Sequence, residues 1–171
     1  HGSGNVIKDN TIYEAIGYNT AFGTGPVTIT GNTFTNQHGN NGLVINYGST
    51  DYSHWGVGSN TITGNTFVGG ELGITLYGNN NSEISGNTFQ GPNRAIVLVG
   101  SQNNNIFNNN FLLVNIPVEL ENTDNVSPKP QPPRQSTGNN LHDNYWSYLI
   151  IFYCLNRNLS PTSYNTSIIP T

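Results

Sequence analysis

One hexapeptide, Ile62-Thr63-Gly64-Asn65-Thr66-Phe67, returns along the chain, and its spacing limits what the chain can fold into. Ile29-Thr30-Gly31-Asn32-Thr33-Phe34 precedes it; Ile84-Ser85-Gly86-Asn87-Thr88-Phe89 and Ile106-Phe107-Asn108-Asn109-Asn110-Phe111 follow. Weaker copies run from Ile7 to Ile12 and from Leu141 to Trp146. The sixth positions are 12, 34, 67, 89, 111 and 146, so the steps are 22, 33, 22, 22 and 35. A constant step of 22 residues, twice lengthened, is an internal repeat with two insertions. Repeats of this period stack as solenoids, because no single unit can bury its own apolar face.

Residues 60–84 serve as the model unit. Ile62 stands between Thr61 and Thr63, one apolar side chain inward and two hydroxyls outward, the period of a strand. Gly64-Asn65 tolerates the positive φ of a tight turn. Phe67 follows on the inner side, Gly69-Gly70 bends the chain again, and Leu72 to Leu76 forms a second strand with Ile74 and Leu76 inward and Thr75 outward. Gly78 to Asn81 closes the coil. The inward pair recurs as Ile96/Leu98 and Val118/Leu120, each 22 residues further on, and Leu43/Ile45 holds the same place one coil earlier. No long amphipathic helical pattern appears. The expectation is an all-β fold, a right-handed parallel β-helix of about 22-residue coils, with rungs about 4.8 Å apart. Stacking predicts an internal aromatic ladder of Phe34, Phe67, Phe89 and Phe111, and an amide ladder of Asn32, Asn65, Asn87 and Asn109 at the turn.

At 171 residues the chain reads as one domain, residues 1–171, with regular coils over about 5–146. Insertions fall at about 46–58 and 123–138, and a degenerate last coil or cap at 147–171. Charged residues make up 8%, against about 25% in ordinary soluble proteins, and amides and hydroxyls replace them. Such a polar chain suggests disorder, but disorder keeps no register. A net charge of −4 with five basic residues argues against nucleic acid as a partner. No apolar run approaches the roughly 20 residues of a membrane-spanning helix. The chain opens at His1 rather than Met, which reads as a processed product or a piece of a longer chain. Cys154 is the single cysteine, so no internal disulfide forms. Asn80, Asn125 and Asn165 begin glycosylation sequons, and an extracellular or cell-surface location suits the composition.

The repeats Asn-Thr-Ile-Thr-Gly-Asn-Thr-Phe (60–67) and Leu-Gly-Ile-Thr-Leu-Tyr-Gly (72–78) resemble the right-handed parallel β-helix repeat superfamily, which includes pectate lyase-like enzymes. The closest resemblance is to periplasmic copper-binding-type β-helix domains, found also in archaeal and bacterial surface proteins. It covers roughly residues 5–146 and rests on structural positions, so it implies the fold more than an activity. In related surface domains Asn-Tyr-Trp-Ser (144–147) is followed by an Asp- and Gly-rich segment; here an apolar run, Leu149 to Leu155, stands instead.

Each candidate chemistry is weighed against a structural alternative. A polysaccharide lyase needs a base and cations to hold a sugar carboxylate, but Lys8 and Arg94 sit on different coils, and Lys129 and Arg134 in a Pro-rich excursion. A glycosidase needs two facing carboxylates, and nothing pairs Glu71 with Asp51 by spacing. His38, His54, His142 and Cys154 lack ligand spacing, and Met is absent, so neither metal nor cofactor is expected. Tyr47, Asp51, Tyr52, His54 and Trp55 lie in one insertion and suit a sugar, whose CH faces stack on aromatic rings. The reading is therefore not an enzyme but an extracellular structural β-helix, a surface, envelope or fibre subunit. Its expected partners are copies of itself; the alternatives are a glycan-binding or adhesin module using the Tyr47–Trp55 loop and, second, a carbohydrate-active enzyme of the polysaccharide lyase or epimerase kind. The first coil starts by Val6, leaving no room for a cap, and the apolar residues Ile150, Ile151, Phe152 and Tyr153 are expected to form the assembly end.

Overall fold

A computed structural model of the chain describes residues 4–13, 16–19, 26–36, 41–46, 58–122 and 135–147. The repeat becomes six coils. The first holds β1 (Asn5–Lys8), β2 (Thr11–Tyr13) and β3 (Ile16–Asn19); the second β4 (Val27–Thr30), β5 (Thr33–Thr35) and β6 (Asn41–Asn46). The third holds β7 (Thr61–Thr63), β8 (Thr66–Val68) and β9 (Leu72–Tyr77); the fourth β10 (Glu83–Ser85), β11 (Thr88–Gln90) and β12 (Arg94–Val99). The fifth holds β13 (Asn105–Phe107), β14 (Asn110–Leu112) and β15 (Ile116–Glu121), and the sixth β16 (Asn140–His142) and β17 (Tyr145–Trp146).

Strands of equivalent position pair in parallel from coil to coil. They form two six-stranded sheets, β1-β4-β7-β10-β13-β16 and β2-β5-β8-β11-β14-β17, and a five-stranded third, β3-β6-β9-β12-β15. The register is the repeat itself: Ile29, Ile62, Ile84 and Ile106 are partners in the first sheet. Leu43, Ile74, Ile96 and Val118 are partners in the third. The result is an all-β, parallel β-helix.

The core runs along the axis. Phe34, Phe67, Phe89 and Phe111 are buried, and their rings stack in sequence with centroids 4.7, 4.9 and 5.2 Å apart. Trp146 extends the stack 4.5 Å beyond Phe111. Such a column needs small residues where the third sheet begins. A Cβ on Gly73 would stand 2.5 Å from the Ala95 carbonyl oxygen and 2.9 Å from the Phe89 ring. The turn between the first two sheets is made by a column of positive φ, and it holds only Gly, Asn and Asp: Asp9, Gly31, Gly64, Gly86, Asn108 and Asp143. These are the residues that tolerate the left-handed region.

Two expectations change. Thr75 does lie on the outer face by strand alternation, but it is only 1% exposed and its hydroxyl has no partner among the described residues. Arg94, in register with Ile116, reaches Glu119 and Glu121 further along β15, so its side chain runs along the outer face of the third sheet. The second insertion is also shorter than its expected span, because Ser136 already accepts the Ser101 backbone N–H at 3.0 Å as part of the wall.

Candidate functional site

Charged side chains converge on the outer face of the third sheet. Arg94 opens β12, with Glu71 just before β9 on one side and Glu119 and Glu121 on β15 on the other. Alternation along β15 turns Val118 inward and sets Glu119 and Glu121 on the same outer face. The guanidinium Nη1 of Arg94 lies 3.1 Å from Glu119 and 3.5 Å from Glu121. Its Nε lies 3.3 Å from Glu71 without the alignment of a hydrogen bond. Asn93 Nδ2 donates to both Glu71 oxygens at 3.0 and 3.1 Å, and its Oδ1 accepts from Asn115 at 2.9 Å.

Three carboxylates on one cation leave the cluster acidic. Glu119 is nearly buried, its side chain 7% exposed. Burial pushes the Glu121 carboxyl up, the Glu119 charge adds to this, and Arg94 opposes it. Burial likewise raises the Tyr77 hydroxyl, with a further push from Glu121 and a pull back from Arg94. Chemically the arrangement braces three coils. Two carboxylates near each other are the start of glycosidase chemistry, but here both face the same guanidinium.

The structure brings together Glu71 and Arg94, which the sequence reading did not pair. Among the described residues Lys8 pairs only with its neighbour Asp9, at 3.5 Å in solvent. Asn80 is tied into the wall, its Oδ1 accepting the Gln102 N–H at 3.0 Å, and the Ser82 of its sequon is buried. Tyr47, Asp51, Tyr52, His54 and Trp55 lie outside the described residues, as do Ile150, Ile151, Phe152 and Tyr153, and Asn125 and Asn165.

Sequence reasoning found one polar ladder; among the described residues there are three. In the expected one, each Asn Oδ1 accepts from the N–H and Nδ2 of the Asn one coil earlier, at 2.9–3.1 Å for Asn65 and Asn87. A second joins Asn60, Ser82, Asn104 and Asn139. A third joins Asn79, Ser101 and Ser136. The 22-residue step was the available signal, masked by the exchange of Asn for Ser. On the outer wall, the His142 ring lies flat against Phe107 at 5.1 Å, a contact between two unlike residues that the repeat did not flag.

The family model described as periplasmic copper-binding protein (NosD) matches residues 1–149. Neither the curated proteins nor the solved structures contain a match to the chain. The described residues do not fit a copper centre. Among them no three His, Cys, Asp or Glu side chains are grouped to hold a metal ion. Both nitrogens of His142 are engaged, Nδ1 at 2.8 Å from Asp143 and Nε2 at 3.2 Å from Asn105 Oδ1.

Proposed function

Because this chain belongs to the NosD family, a family of periplasmic right-handed parallel β-helix proteins, we propose that its work is architecture and contact: a structural β-helix of the cell envelope or surface that associates with copies of itself. An extracellular or envelope-associated location follows from the family at a coarse level. The observation that carries the structural reading is how the repeated polar residues are used. Asn32, Asn65, Asn87 and Asn109 are buried and committed to neighbouring coils, as are Asn60, Asn79, Ser82, Ser101 and Asn104. Arg94, the cation that a lyase would use to hold a sugar acid, is already held by Glu119 and Glu121 and flanked by Glu71. Contact with glycans through the Tyr47–Trp55 loop is compatible with this role.

The test pairs two measurements on the purified chain. Sedimentation velocity over a wide concentration range should give species that grow with concentration. Uronic-acid polymers, with and without calcium, should be neither cleaved nor epimerised. Turnover that disappears in Arg94→Ala or Glu71→Ala would overturn the structural reading.

A further inference from the structure

The His142 ring on β16 is held on three sides. Its face lies against the Phe107 ring of β13, with centroids 5.1 Å apart and planes within 1° of parallel. Nδ1 stands 2.8 Å from Asp143 Oδ2, and Nε2 stands 3.2 Å from Asn105 Oδ1. Asn105 Oδ1 also accepts from Asn140 Nδ2 at 3.1 Å, which sets that amide with its oxygen toward the ring. Both ring nitrogens therefore face acceptors. A neutral imidazole has one N–H and serves only one of them; the charged ring has two and serves both. An aromatic face beneath the ring also favours its charged form.

These contacts cross from one coil to the next. Asn105 and Phe107 belong to the fifth coil, His142 and Asp143 to the sixth. Among the described strands, β16 meets the first sheet through β13 alone, over three residue pairs. Charge around the ring is sparse. Asp143, in the corner that follows β16, is the one charged group against it among the described residues. From β13 the ring meets Asn105 and Phe107, neither of which titrates. Glu83 on β10 lies one coil beyond Asn105 and accepts from Ser85 Oγ at 2.7 Å.

We infer that His142 is a proton-operated clasp for the sixth coil. With the ring charged, Nε2–H ties the sixth coil to Asn105 while Nδ1–H holds the corner through Asp143. When the ring gives up one proton, the remaining N–H stays on the carboxylate, the stronger acceptor. Nε2 then turns a lone pair toward the Asn105 oxygen, and the bond between the coils is the one lost. The sixth coil is held more tightly in acid and loosens as pH rises. The His142 side chain is 33% exposed, so solvent screens the charge and the effect is modest.

Thermal midpoints of the parent and of His142→Gln, compared at about pH 5 and about pH 8, read the clasp, since histidine changes charge across that range. Taking the difference between the two chains at each pH removes the titration of every group they share. His142→Gln should lower the midpoint by about 2–4 °C at the lower pH and by much less at the higher. Asn105→Asp, which sets a second carboxylate on the ring, should widen the contrast between the two pH values, and adding His142→Gln to it should abolish the widening. Nitrogen-15 spectra of the ring should show both nitrogens protonated at the lower pH and Nε2 losing its proton as pH rises. A midpoint difference that is the same at both pH values would overturn the clasp and leave packing on Phe107 as the work of the ring. Loss of the Nδ1 proton in place of the Nε2 proton would overturn it as well.

Discussion

The same side chain has opposite value at two buried positions. Asn87 accepts from Asn65 and donates to the Ile62 carbonyl and to Asn109, so each of its polar atoms has work in the ladder. Asn87→Ala strands donors and acceptors on both neighbours and should cost roughly 2–4 kcal/mol, since an unmade buried hydrogen bond costs about 1–3. Asn36 is as buried, yet neither Oδ1 nor Nδ2 finds a partner among the described residues. Asn36→Ala should therefore be neutral or stabilising by about 1 kcal/mol. Urea unfolding of the two variants checks both signs, and equal losses would contradict the ladder account. Glu121 gives a prediction in pH. A carboxyl whose folded pKa is raised adds stability below its unfolded pKa and loses it as pH rises through the folded value. Glu121→Gln should thus raise the thermal midpoint at neutral pH, and the advantage should vanish below the ordinary pKa of 4.5. An advantage that persists in acid would assign the effect to something other than charge.

Single elements are held by the aromatic column and by the close approach it imposes. Phe89→Ala leaves a gap between the Phe67 and Phe111 rings and should cost about 3–5 kcal/mol. Two glycines separate space from conformation. At Gly73 a methyl group meets the Ala95 carbonyl and the Phe89 ring, so Gly73→Ala should cost about 1–3 kcal/mol through overpacking. At Gly64 nothing lies within 4 Å, but φ is +65°, so Gly64→Ala should cost about 1–2 kcal/mol through backbone strain alone. Replacing Gly64 by Asn should recover much of that loss, while Gly73→Asn should not. These inward columns were legible in the sequence because a stacked position repeats one residue type, Phe over Phe and Asn over Asn. The outer face was not. The column through Val44, Thr75, Val97 and Glu119 changes type at every coil, although Thr75, Val97 and Glu119 are all buried. Glu119 and Glu121 therefore carried no periodic signal, and their junction with Arg94 emerges only when the register is drawn.

For the whole molecule, the two lengthened steps were readable as insertions, but their residues carry no period from which to place a side chain. Coil number sets stability, since each added coil buries a further Ile, a further Phe and two further aliphatic residues, each worth roughly 1.5–3 kcal/mol. Fibre diffraction from oriented assemblies tests the stacked-coil account most directly. Stacked coils predict a strong reflection near 4.8 Å, the spacing of the rungs. Oriented specimens that lack that reflection would contradict the account.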